Sequence, residues 1–120
     1  MDDSRHISIW IDRPADEVYE FAANLENMPR WAAGLASGLG DVAVEFAPAN
    51  MFGVLDHVVT LPSGEVVYNP MRVIPAGPDE SRCEVVFTLR RRGMTAEEFD
   101  ADAAAVAADL ATLRRLLDVE

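Results

Sequence analysis

Ile7, Ile9 and Ile11 alternate with Ser8, Trp10 and Asp12, and this period of two predicts a half-buried strand. The pattern then changes abruptly. Pro14 suits a first helical position, Asp16 and Glu17 place negative charge in the first turn, and Val18, Phe21, Ala22 and Leu25 recur at helical spacing. Pro29 interrupts that stripe, so residues 27–34 read as a separate short helix with Trp31 turned inward. Gly34, Gly38 and Gly40 leave the next segment without a regular pattern, and residues 41–46 hold a short strand. Strand-like sequence returns over residues 51–61, 65–74 and 82–91. Leu61-Pro62-Ser63-Gly64-Glu65 joins the first two as a type I turn closed by a left-handed glycine, and residues 75–81 form the second loop of an antiparallel meander.

The last element is a long amphipathic helix over residues 95–117. Thr95 with Glu98 forms a capping box, and Met94 with Phe99 is placed for a hydrophobic staple. Phe99, Ala103, Val106, Leu110, Leu113 and Leu117 mark one apolar face, with Asp100, Asp102 and Asp109 off it. At 1.5 Å per residue this helix is roughly 34 Å long, enough to cross a small sheet.

Turn geometry fixes the register of the meander. With Leu61 opposite Glu65, Val59 faces Val67, His57 faces Asn69 and Leu55 faces Met71; beyond the second loop, Met71 lies near Phe87 and Val73 near Val85. One face of the sheet is then almost wholly apolar, and His57 and Asn69 are the polar exceptions on it. A buried imidazole and amide need partners, so they bond each other, water or a ligand. On the opposite face, Asp56 lies diagonal to Arg72, a surface ion pair of small energetic value. Asp56 and His57 are adjacent on one strand and point to opposite faces, which makes a catalytic dyad geometrically poor.

Composition narrows the function classes. The 120 residues correspond to a single α+β domain, and a hydrophobic fraction of 50% provides for a packed core. A formal charge of −11 disfavours nucleic acid and anionic membranes as partners. All 10 basic residues are arginine, which excludes lysine Schiff-base chemistry and, with abundant alanine, aspartate and valine, fits a GC-rich bacterial genome. No apolar run approaches the ~20 residues needed to span a bilayer, and the acidic opening is not followed by a signal-type apolar block, so a cytoplasmic protein is expected. Cys83 is read as core packing. Arg90, Arg91 and Arg92 are read as paired with local carboxylates, with binding of an anionic group as the alternative, and His6 as an exposed strand-edge residue. There is no P-loop, dinucleotide fingerprint or metal-ligand cluster, so no cofactor is expected.

The block Ile9-Trp10-Ile11-Asp12-Arg13-Pro14-Ala15-Asp16-Glu17-Val18-Tyr19, followed by Trp31, the meander and the closing helix, resembles the START/Bet v 1-like (SRPBCC) superfamily, in particular its small bacterial polyketide cyclase/dehydrase-like proteins. The resemblance implies a helix-grip fold: a curved antiparallel sheet wrapped around the C-terminal helix, with two short helices after the first strand. The short interval between Trp31 and Phe52 implies about six strands and a reduced cavity. The resemblance also implies a hydrophobic ligand held between sheet and helix, for which His57, Asn69, Trp31, Met71, Phe52 and Phe87 are the candidate lining. Three functions stay open: binding of a small hydrophobic molecule, a cyclase/dehydrase-type enzyme using His57 as acid/base, and a non-catalytic homodimeric interaction module whose cavity is filled. Val54, Val58, Tyr68 and Val86 on the outer face are the surface such a dimer would use.

Overall fold

A computed structural model describes residues 3–32 and 42–119 of the chain. The elements in order are β1 (Ser4–Ile11), α1 (Ala15–Ala23), α2 (Met28–Trp31), β2 (Ala43–Phe46), β3 (His57–Thr60), β4 (Val66–Asn69), β5 (Met71–Pro75), β6 (Cys83–Arg90) and α3 (Ala96–Val119). Pro14 sits at the N-cap of α1 rather than inside it, with its carbonyl accepting from the amides of Glu17 and Val18. The glycine-rich segment with Gly34, Gly38 and Gly40, together with Asp41, lies outside the described residues.

Six strands form as expected, but not as one continuous curved sheet. They make two three-stranded antiparallel sheets, ordered β1-β6-β5 and β2-β3-β4. The second and third segments of the expected meander are both interrupted. β4 and β5 are consecutive stretches of chain separated by Pro70, which has no N–H to give a ladder. Residues 51–61 are strand only from His57 onward. Ahead of it, the Asn50 side chain organises a turn, accepting from the amides of Phe52 and Val54 and donating to the carbonyls of Pro48 and Val54. Gly53 closes that turn at φ +71°, where a Cβ would lie 2.2 Å from the Val73 carbonyl oxygen.

The register nevertheless holds across the interruption. His57 pairs with Asn69 and Val59 with Val67, an isolated bridge joins Val54 to Arg72, and Met71 and Val73 pair with Phe87 and Val85. Gly64, at φ +91°, closes the β3–β4 turn, and its amide donates to Leu61.

Side chains repair the backbone where the ladder fails. Opposite Pro70, the Met71 amide donates to Asp56 Oδ1 at 2.9 Å instead of to a strand carbonyl. The Leu55 carbonyl accepts from His57 Nδ1 at 2.9 Å. Asp56 also accepts from Arg72 Nε and a terminal Arg72 nitrogen, each at 2.9 Å, and from the Tyr68 hydroxyl at 2.7 Å. The expected surface ion pair is therefore a buried carboxylate, 6% exposed, with four donors. Burial makes satisfaction obligatory, and a bidentate guanidinium supplies most of it.

α3 lies on β1 and β6. Its capping box forms as expected: the Glu98 amide donates to Thr95 Oγ1 and the Thr95 amide to Glu98 Oε1. Phe99, Leu110, Leu113 and Leu117 are buried, and Met94 packs on the same core. Arg5 on β1 reaches Asp100 at 2.6 Å and lies over the Phe99 ring, tying the start of the helix to the sheet edge.

The Arg72 guanidinium first, then the Tyr68 hydroxyl and the Met71 amide, hold the Asp56 carboxyl down at about 2 against an ordinary 3.8, with burial opposing them. A folded-state pKa below the unfolded one gives stability that is complete above about pH 4 and is lost as pH falls through about 2. Its size is on the order of 2 kcal/mol. Asp56→Asn is expected to lower unfolding stability by about that amount at neutral pH and to flatten the acid limb of the pH–stability curve. Urea denaturation from pH 2 to 7 measures both; an unchanged acid limb would assign the acid sensitivity to other carboxylates.

Candidate functional site

A cavity of about 240 Å³ opens between the β2-β3-β4 sheet, α2 and α3. From β3 and β4 it is walled by His57, Val59, Val67 and Asn69, from β6 of the other sheet by Phe87, from α2 by Met28 and Trp31, and from α3 by Val106, Asp109 and Leu110. Leu61, Ala32 and Arg92 complete the lining. A cavity of about 150 Å³ accommodates benzene and drug-sized ligands occupy ~300 Å³ or more, so this one suits a compound of one or two rings.

Four of the six residues expected to line a ligand site meet here: Trp31, His57, Asn69 and Phe87. Met71 does not. It faces inward as its register requires, but it is fully buried in the core between Leu55 and Phe87, away from the void. Phe52 does not either, because the Asn50–Gly53 turn carries it outward and leaves it 82% exposed. Asp109 departs from expectation in the other direction. It follows Val106 by three residues, one helical turn, and so joins the cavity wall instead of the solvent face.

His57 is 3% exposed and held from several sides. Phe46 meets its ring edge-on at 5.3 Å and Phe87 lies tilted at 5.9 Å. Because the Leu55 carbonyl can only accept, Nδ1 carries the proton in the neutral ring, which leaves the Nε2 lone pair on the side of Asn69. Asn69 Nδ2 approaches Nε2 at 3.5 Å, a long contact that a ligand donor could replace. Asp56 makes no bond to His57: its oxygens are occupied by Tyr68, Met71 and Arg72 on the other side of the strand, as the alternation of side chains requires.

Trp31 is 3% exposed, and its indole Nε1–H has no hydrogen-bond partner among the described residues. At the cavity rim Arg92, in the left-handed region at φ 54°, donates to Glu65 at 2.7 Å. Arg91 pairs with Asp3, so two of the three consecutive arginines have carboxylate partners. Burial pushes the Cys83 thiol up to about 11, which makes it an unreactive core side chain. His6 is exposed on the edge strand β1, against Thr88. Among the described residues no cluster of His, Cys, Asp and Glu could hold a metal, and no helix is long and apolar enough to cross a membrane.

Burial lowers the His57 pKa below its usual 6.5, more than the Leu55 bond and the nearby Asp56 charge raise it. With a folded-state value below the unfolded one, neutral His57 contributes stability that is full above about pH 6.5 and lost as pH falls through the lowered value. An NMR titration of the imidazole carbons is expected to give a His57 midpoint below 6.5 and an Nδ1–H tautomer. A midpoint at or above 6.5 would mean that the ring is solvated.

The chain matches no protein-family model, and no curated protein sequence matches it. Solved structures do. The di-domain aromatase/cyclase BexL superposes with a TM-score of 0.68 at 19% identity, over 97% of this chain and 46% of that one, so this chain spans about half the length of BexL. A protein from Thermobifida fusca gives 0.56 at 15% identity, over 92% and 90% of the two chains. Norcoclaurine synthase from Thalictrum flavum gives 0.55 at 11% identity, over 98% and 94%. Likeness at these identities is a likeness of fold. With six antiparallel strands in two sheets, two short helices after the first strand and a long helix laid on β1 and β6, the chain has a helix-grip fold, the fold it shares with these solved structures.

Proposed function

We propose that this chain binds a small hydrophobic molecule in the cavity between the β2-β3-β4 sheet and α3. The observation that carries this reading is the cavity itself: about 240 Å³ of largely apolar wall, left open where α3 could have closed on the sheet. Support also comes from fold relatives: BexL is an aromatase/cyclase, and norcoclaurine synthase has been crystallised with dopamine and hydroxybenzaldehyde, aromatic molecules of one ring.

A second reading, a cyclase-type enzyme, is favoured by one observation. The Leu55 carbonyl fixes the neutral tautomer of His57 that leaves a basic Nε2 on the cavity side. Nε2 is then able to take a proton from a bound carbon acid or phenol and return it, with Asn69 Nδ2 positioned to hydrogen-bond a developing oxyanion.

Naphthalene, a neutral two-ring hydrocarbon, is the simplest probe of the void. It is expected to raise the melting temperature and to bind with measurable heat in calorimetry, and Val106→Phe, which fills the void from the helix side, is expected to abolish both while leaving the fold intact by circular dichroism. Absence of naphthalene binding in the wild type would remove the ligand-binding reading. For the enzyme reading, 1-tetralone is expected to exchange its α-protons with D2O faster in the presence of the protein, and His57→Gln is expected to lose that excess while still binding the ketone. Equal exchange with and without protein would leave binding as the whole function.

A further inference from the structure

The polar groups of the cavity wall differ in what they can offer a guest. Arg92 is paired with Glu65 at the rim, Asp109 has a partner, and the Trp31 indole nitrogen is covered by protein atoms. Asn69 is the exception. It pairs across the ladder with His57, so by strand alternation both side chains share the inward face with Val59 and Val67, and all four line the void. Which way its amide points follows from the backbone. The Leu55 carbonyl takes the Nδ1 proton of His57 at 2.9 Å, so Nε2 of the neutral ring can only accept, and the atom facing it at 3.5 Å is the Asn69 nitrogen. The hydrogen bonds thus run in one direction, from Asn69 Nδ2 to His57 Nε2 and from His57 Nδ1 to Leu55. The group left over is the carbonyl oxygen of the half-buried Asn69. It accepts from no donor among the described residues, yet it is not sealed: the buried side-chain atom without a partner is Trp31 Nε1, not Asn69 Oδ1.

We propose that Asn69 Oδ1 is the hydrogen-bond acceptor for the cavity ligand, and that the site therefore favours neutral one- or two-ring compounds bearing a hydroxyl donor, of which a phenol is the simplest. This assignment rests on the ligand-binding reading above and adds the chemical class of the guest. A hydrocarbon of the same shape fills the void but shuts Asn69 Oδ1 away from solvent without giving it a donor. An ether or ketone oxygen brings lone pairs to a lone pair, and can reach only the second N–H of a nitrogen already engaged with His57. A carboxylate does the same and carries its charge into a largely apolar wall. A hydroxyl donates to Oδ1 and leaves the bonds from Asn69 through His57 to Leu55 untouched.

Naphthalene, 2-methoxynaphthalene and 2-naphthol, compared by calorimetry on the full chain, separate the effects of shape, oxygen and donor. 2-Naphthol is expected to bind the wild type about tenfold more tightly than naphthalene, the size of one hydrogen bond, and more tightly than the ether. In Asn69→Leu, which keeps the volume and removes the acceptor, that advantage is expected to vanish while naphthalene binding persists. The wild-type protein supplies a readout that does not depend on the variant folding. The Asn69 side-chain carbonyl carbon resonance is expected to move downfield with 2-naphthol and not with naphthalene, while His57 Nε2 keeps its nitrogen shift. If 2-naphthol binds no more tightly than the ether or the hydrocarbon, the acceptor role is overturned while the cavity reading stands. If His57 Nε2 moves and the Asn69 carbon does not, or if Asn69→Leu keeps the naphthol advantage, the hydroxyl bonds elsewhere and the acceptor role is overturned likewise. No binding by any of the three overturns both the acceptor role and the cavity reading.

Discussion

Proline in the middle of a strand removes a donor and forces a break, and in this protein the break at Pro70 is held together by Asp56. One carboxylate, almost fully buried, takes the Met71 amide, the Arg72 guanidinium and the Tyr68 hydroxyl. Those bonds let the chain pass from β4 to β5, and so from one sheet to the other, without leaving a buried amide unpaired. They add to the backbone bonds that also hold this edge, from the Leu55 amide to the Met71 carbonyl, from the Val73 amide to the Gly53 carbonyl and from the Thr88 amide to the Pro70 carbonyl. The same carboxylate is bound too completely to act as a base. Its neighbour His57, one residue along and facing the other way, is the one that looks into the void.

Much of this was legible in the amino-acid sequence. The pairing of His57 with Asn69, Val59 with Val67 and Met71 with Phe87 follows from one glycine-closed turn and the alternation of apolar residues, because a slip of one position would turn the whole apolar face outward. The capped helix was equally legible, since its cap, staple and stripe are local signals that agree. Agreement across levels is what makes an element readable.

Two of the misreadings, Phe52 and Asp56, share a cause: the environment of each depends on a side-chain interaction that periodicity does not encode. Phe52 belongs to an alternating run, yet Asn50 folds its own side chain over the next four residues and Gly53 adopts a conformation that ends the strand. Asp56 stands on the outer face by alternation, yet the missing N–H of Pro70 across from it draws the carboxylate in to serve the next amide. Asp109 is charged, yet its three-residue spacing from Val106 already placed it on the inner stripe. For Met71 the direction was right and the depth was wrong, because facing inward does not distinguish a packed core from a cavity wall.

The tie between His57 Nδ1 and the Leu55 carbonyl has a consequence for substitutions in the cavity wall. On the sheet wall, His57 both lines the void and donates to the Leu55 carbonyl, so a substitution there touches the backbone as well as the space. On the helix wall, Leu110 is also a buried core side chain, while the half-buried Val106 adds volume and surface to the void. A change at Val106 reshapes the space while the imidazole keeps its tautomer and the strand its continuity. The two walls therefore differ in what a substitution changes: space at Val106, space and backbone support together at His57.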